Sequence, residues 1–129
     1  MSKPARQRSR RGDIRLRGRI SIEVGKRAGL SEAGADLLEQ IVISGSLSEA
    51  ARQLRHSYRY AWLLVDAMNR SWGDPLVSMT TGGKRGGGAR LTELGEAVLS
   101  AYRHLQVEME HFLDMRTATF QSAIGPPLH

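Results

Sequence analysis

At 129 residues with no cysteine, 40% hydrophobic and 25% charged content, the chain suits one domain with a modest core and excludes disulfides, cysteine nucleophiles and thiolate metal sites. No apolar run approaches the roughly 20 residues that span a bilayer. The cationic start MSKPARQRSRRGD has no apolar stretch behind it, so neither a membrane anchor nor secretion is expected, and a cytoplasmic location is.

The net charge of +6 suits a polyanionic partner, and residues 1–19 hold eight cations against Asp13 alone, which leaves the rest of the chain near neutrality. Residues 1–13 lack apolar side chains and form an arm expected to be disordered in isolation. IRLRGRISIEV, residues 14–24, alternates apolar positions with Arg15, Arg17, Arg19, Ser21 and Glu23, which predicts a half-buried strand with a cationic outer face. GKRAG breaks it. A first helix follows in LSEAGADLLEQIVISG, with Ser31 as cap, Gly45 as stop and Leu37, Leu38, Ile41 and Val42 inward.

SLSEAARQLRHS opens with Ser46 three residues before Glu49, the spacing of a capping box, and presents Ala50, Ala51 and Leu54 as a narrow inner face. Such small residues let another helix cross closely. After a turn at Arg55 and His56, Ser57 caps YRYAWLLVDAMNRSW, where Ala61, Val65 and Met68 point inward and Arg59, Asp66 and Arg70 outward. A short helix, a tight turn and a longer helix read as a helix-turn-helix, with an ordinary helical hairpin as the other reading.

Pro75 ends that helix. LVSM, TGGKRGGGAR at 81–90 and the strand within ARLT then make a hairpin with a long glycine-rich tip. The tip fails as a Walker A loop, because Gly88 and Ala89 stand where lysine and a hydroxyl are required, and as a dinucleotide fingerprint, because one long helix rather than a βαβ unit follows. Lys84, Arg85 and Arg90 on a backbone able to approach closely suit a duplex phosphate chain instead. Thr92 caps the last helix, in which Leu94, Val98, Tyr102 or Ala101, Leu105, Met109 and Phe112 form one apolar stripe with nothing left in the chain to cover it, so a partner is expected. His104, Glu108 and His111 are spaced as metal ligands but read better as a solvated face, so no metal is expected. No catalytic constellation stands out and no enzyme is expected.

The run from Ser44 to Gln106 resembles the winged helix-turn-helix of the molybdate-dependent regulators of the ModE type, and more distantly that of the LysR type. The likeness lies in GSLSEAA, SYRYAW, the pair Met68-Asn69, TGGKRGGGA and LTELG, in that order and spacing. It implies a mainly α fold with small β elements over residues 14–116, comprising an N-terminal strand, a winged helix-turn-helix and a dimerisation helix at about 92–116; residues 117–129 carry no periodicity and read as a frayed tail. The resemblance implies a sequence-specific regulator of double-stranded DNA linked to molybdate metabolism, with the helix from Ser57 in the major groove and the wing on the backbone. It gives DNA-facing roles to Ser57, Tyr58, Arg59, Trp62, Lys84 and Arg85, to which Arg90, from its charge at the hairpin, and Ser46 are added as candidates, although Trp62, next to Ala61, also suits the edge of the core. A homodimer is implied by the resemblance through the first strand, the first helix and the last helix. Family members carry small molybdate-binding β-barrels after that helix; these 129 residues leave no room for one, so no cofactor is expected in this chain. The alternatives are a winged-helix module that docks a protein partner, and a sensor that holds molybdate with basic groups at a dimer interface.

Overall fold

The computed structural model describes residues 13–80 and 88–125. The basic arm, the wing tip with Lys84 and Arg85, and residues 126–129 lie outside the described residues. The elements run β1 (Ile22–Val24), β2 (Arg27–Leu30), α1 (Glu32–Ser44), α2 (Leu47–Gln53), α3 (Tyr58–Ser71), β3 (Val77–Met79), β4 (Ala89–Leu91) and α4 (Glu93–Ala123). They fall into two compact units: Arg19–His104, which holds β1 to β4, α1 to α3 and the start of α4, and a second unit in which Leu105 onward joins the N-terminal residues up to Gly18.

Within the larger unit, helix boundaries follow side-chain chemistry. Ser31 Oγ accepts from the Gly34 amide at 3.1 Å, and Gly45, at φ 71°, closes α1 by donating its amide to the Ile41 carbonyl at 2.8 Å. Thr92 Oγ1 accepts from the Gly95 amide at 3.0 Å to start α4, and its own hydroxyl donates to the Pro75 carbonyl at 2.8 Å. Gly95 is required there: a Cβ would fall 2.1 Å from the Leu76 carbonyl oxygen, so only a residue without one lets the helix start against that backbone.

Leu30, Leu37, Leu38, Ile41 and Leu76 are almost completely buried, together with Ala50, Ala51 and Ala61 where the helices cross. Each large aliphatic side chain buried in this way contributes about 1.5–3 kcal/mol. Tyr102 joins this core and donates its hydroxyl to the Ile20 carbonyl at 2.8 Å; it, rather than the exposed Ala101, continues the α4 stripe. Burial is the main cause that raises its pKa above the ordinary tyrosine value. One residue along, Arg103 reaches α1, bonding Glu39 at 2.6 and 2.9 Å and Asp36 at 3.1 Å. Burial works against its charge, but those carboxylates outweigh it and raise the Arg103 pKa.

Three expectations are corrected. The strand predicted over 14–24 is ordered as strand only at Ile22–Val24, and it turns through Gly25-Lys26 into β2, so GKRAG forms a hairpin rather than a break. Apolar and polar residues still alternate in burial from Asp13 to Leu16 and from Arg19 to Val24, but only the last three residues have a pairing strand. Val42, expected inward, is 59% exposed, because the buried face of α1 is already filled by Leu37, Leu38 and Ile41. The last helix runs on to Ala123, past the expected end near 116, and terminates before Gly125 at φ 88°.

In the smaller unit, Gly18 lies against α4: a Cβ there would fall 2.8 Å from the Met109 sulfur and 3.3 Å from Leu113 Cδ1. Gln106, Met109, Leu113, Thr117 and Gln121 are half-buried along one side of the helix. Phe112 and Met115 are 50% and 71% exposed.

Candidate nucleic-acid interface

The centre of interest is the outer face of α3. Ser57 Oγ accepts from the Tyr60 amide at 3.0 Å, fixing where the helix begins. Ala61, Val65 and Met68 take the inner face. By helical spacing, Arg59, Trp62, Leu63, Asp66 and Arg70 then share the opposite face. Asp66 pairs with Arg70 at 3.0 Å, so the acid on this face is neutralised from within the helix. Arg59 is exposed and has no acidic partner among the described residues. An exposed guanidinium without an acidic partner offers a planar fork of donors to guanine O6 and N7 or to phosphate.

Trp62 is 42% exposed and lies outside the core, which resolves the alternative left open by its position next to Ala61. Tyr58 is also exposed. Two further residues join this surface that the sequence reading did not single out. Leu63 is exposed beside Trp62; the inward spacing of 61, 65 and 68 already placed it outside. Tyr60 meets His56 edge to face, with ring centroids 4.7 Å apart, a contact that needs the turn geometry and has no signature in spacing alone.

Ser46 stands apart from this face, at the start of α2. Its Oγ accepts from the Glu49 amide at 3.1 Å, which is half of the expected capping box. The reciprocal bond is missing: the Ser46 amide donates to Ser44 Oγ at 3.2 Å, while the Glu49 carboxylate takes Arg52 at 2.6 and 2.8 Å and Gln53 at 3.0 Å. Arg52 is the first cause that lowers the Glu49 pKa, followed by Gln53.

The hairpin is in register, with Val77 opposite Leu91, Ser78 opposite Arg90 and Met79 opposite Ala89. Val77, Ala89 and Leu91 are buried, whereas Ser78 and Arg90 are exposed, so Arg90 lies on the outer side of the wing base. Thr80 and Gly88 close the described part through two bonds of 2.9 Å, and the Ala89 amide donates to the Gly45 carbonyl at 3.0 Å. Asn69 ties α3 to the same hairpin. Its Oδ1 accepts from the Leu76 and Val77 amides at 2.8 and 3.1 Å, and its Nδ2 donates to the Val77 carbonyl at 3.1 Å. The Met68-Asn69 pair thus has a physical role, with the methionine in the core and the asparagine pinning the hairpin.

Residues 25–96 match the bacterial regulatory helix-turn-helix proteins of the lysR family. The chain belongs to that family. LysR-type kinship extends to solved structures: full-length LysG of Corynebacterium glutamicum with bound effector Arg is 30% identical and superposes with a TM-score of 0.51 over 70% of this chain and 30% of that one. The CbnR DNA-binding domain in complex with DNA, 20% identical, has a TM-score of 0.55 over 70% of this chain and 98% of that domain, which shows a common fold. Among curated proteins, the molybdenum transport protein ModE of Azotobacter vinelandii is 34% identical over 111 residues, covering 86% of this chain and 41% of its own length. The transcriptional regulator ModE of Haemophilus influenzae is 41% identical over 75 residues, 58% of this chain and 29% of its own. The chain therefore spans less than half of the curated relatives it matches.

Proposed function

We propose that the chain is a sequence-specific, double-stranded DNA-binding transcription regulator linked to molybdate metabolism, with α3 in the major groove and the wing on the adjacent backbone. The observation that carries this reading is the outer face of α3, where Arg59, its charge unopposed, stands with exposed Trp62 and Leu63 on a helix whose start and end are both pinned. In this arrangement Arg59 reads base edges, while Tyr58 and the Ser57 hydroxyl, whose hydrogen remains available for donation, meet the backbone. Arg90, Lys84, Arg85 and the basic arm neutralise phosphates. The family match and the ModE relatives support the regulatory role, and the names of those relatives support the link to molybdate.

A second copy of the chain is proposed as partner, on the exposed Leu105, Phe112 and Met115 side chains of α4. The decisive experiment is selection of bound genomic fragments with and without molybdate. Enriched half-sites about one helical turn apart, or a multiple of that, are expected for a dimer. Arg59→Ala should cost about 1–3 kcal/mol of discrimination at one base pair, whereas Lys84→Ala should weaken all duplexes alike and lower the salt slope by about one. Indifference of the protein to duplex DNA at low salt overturns the reading.

A further inference from the structure

The turn between α2 and α3 contains a residue that its backbone does not favour. Arg55 has φ 61° and is the one non-glycine residue with positive φ among the described residues. Its amide donates to the Arg52 carbonyl at 3.1 Å, and the next amide, of His56, reaches back to the Ala51 carbonyl at 2.9 Å. These two bonds make a complete Schellman closure of α2, in which the left-handed position is ordinarily glycine, or else asparagine, because a Cβ is unfavourable there. The closure itself needs no side chain at 55: both bonds are made by backbone.

What the arginine adds lies outside the fold. The residue is exposed, and its guanidinium has no hydrogen bond or ion pair within the described residues. Its neighbour in the preceding helix, Arg52, is by contrast held by Glu49 at 2.6 Å. Arg55 stands two residues before the Ser57 cap of α3 and four before Arg59. A strained backbone position occupied by an unpaired cation at the mouth of the reading helix is better accounted for by a ligand than by packing.

We propose that Arg55 is a DNA phosphate clamp, positioned by the α2–α3 turn at the edge of the groove that α3 enters. It is a positioning contact that carries affinity rather than base choice, and it rests on the DNA-binding reading above.

The test uses the full chain and a fluorescent duplex selected by the wild-type protein from a random-sequence pool, titrated across a range of salt. Arg55→Gly and Arg55→Asn keep a residue tolerant of the left-handed region and remove the charge; Arg55→Lys keeps the charge. Loss of one phosphate contact lowers the slope of log affinity against log salt by about one and weakens binding about fivefold near 0.15 M salt. This is the result expected for Gly and Asn, with the base preference of the pool unchanged and the thermal midpoint of Arg55→Gly at or above that of wild type. Lys should retain the slope. Wild-type slope and affinity in Arg55→Gly overturn the clamp, as does a lowered melting point that accounts for the lost binding. Failure of the wild-type protein to bind any duplex overturns the reading beneath it, and the two failures are told apart by the wild-type curve.

Discussion

The two units differ in what holds them. All the fully buried side chains among the described residues, from Leu30 to Tyr102, lie in the Arg19–His104 unit; the residues of the other unit are half-buried at best. The first closes a core within one chain, with Val42, Ile43, Trp62 and Leu63 left exposed on its surface. The second leaves Leu105, Phe112 and Met115 to solvent on a helix 31 residues long, and an isolated helix of that kind gains most of its stability from packing against something else. The difference separates a part with a fully buried core from a part that has none among the described residues.

The contrast can be broken most severely from the inside of the larger unit. Leu37→Ala removes a side chain with no exposure and should destabilise by about 2–5 kcal/mol; chemical denaturation should show it, with DNA binding lost in parallel. Next comes the smaller unit. If the proposed homodimer forms on this face, Phe112→Asp should leave the cooperative unfolding of the larger unit intact while raising the dimer dissociation constant about thirtyfold, the loss expected when an anchor of about 2 kcal/mol is removed, read by sedimentation velocity. A variant that melts early but still associates would reverse the assignment of the two parts.

Smaller still is the effect of Ser57→Ala, which removes the α3 cap and should cost about 1 kcal/mol. Because that cap sets where the reading helix begins, binding should weaken more than the melting shift alone accounts for. The smallest effect is titration of Tyr102. Its pKa is raised in the folded state, so the native protein holds the phenolic proton where the unfolded chain releases it. Stability is therefore fully present below the ordinary tyrosine value of about 10 and falls as pH rises through it. Tyr102→Phe should flatten that alkaline decline while losing the bond to the Ile20 carbonyl; denaturation midpoints collected on both sides of pH 10 will show whether it does.

What was legible in the chain was what local chemistry decides. Ser31, Ser57 and Thr92 cap their helices because a short hydroxyl satisfies the orphan amides of a first turn whatever surrounds it, and the inward set Ala61, Val65 and Met68 follows from periodicity. The outer face of α3, and with it Arg59, was readable for the same reason. Hidden features depended on competition or on partners. Glu49 fits a capping box by spacing, but Arg52 and Gln53 outbid the Ser46 amide for its carboxylate. Residues 14–24 alternate like a strand, yet a strand exists only where another backbone pairs with it, and the partner begins at Arg27. The extension of α4 through TATFQSA shows no apolar stripe, since a helix already under way adds residues at little cost until Gly125. Arg55 could not be anticipated as a left-handed residue, since nothing in its type requests that conformation.

The three bonds of Asn69 have a mechanical consequence. A side chain at the far end of α3 satisfies both the amide and the carbonyl of Val77, as a neighbouring strand would, so the first strand of the hairpin is stitched to the helix and has little freedom to swing independently. On the proposed reading, groove and backbone contacts are then set by one rigid span. Shifting the duplex by a single base pair would misplace both together, and the energetic penalty for a wrong register would be charged twice.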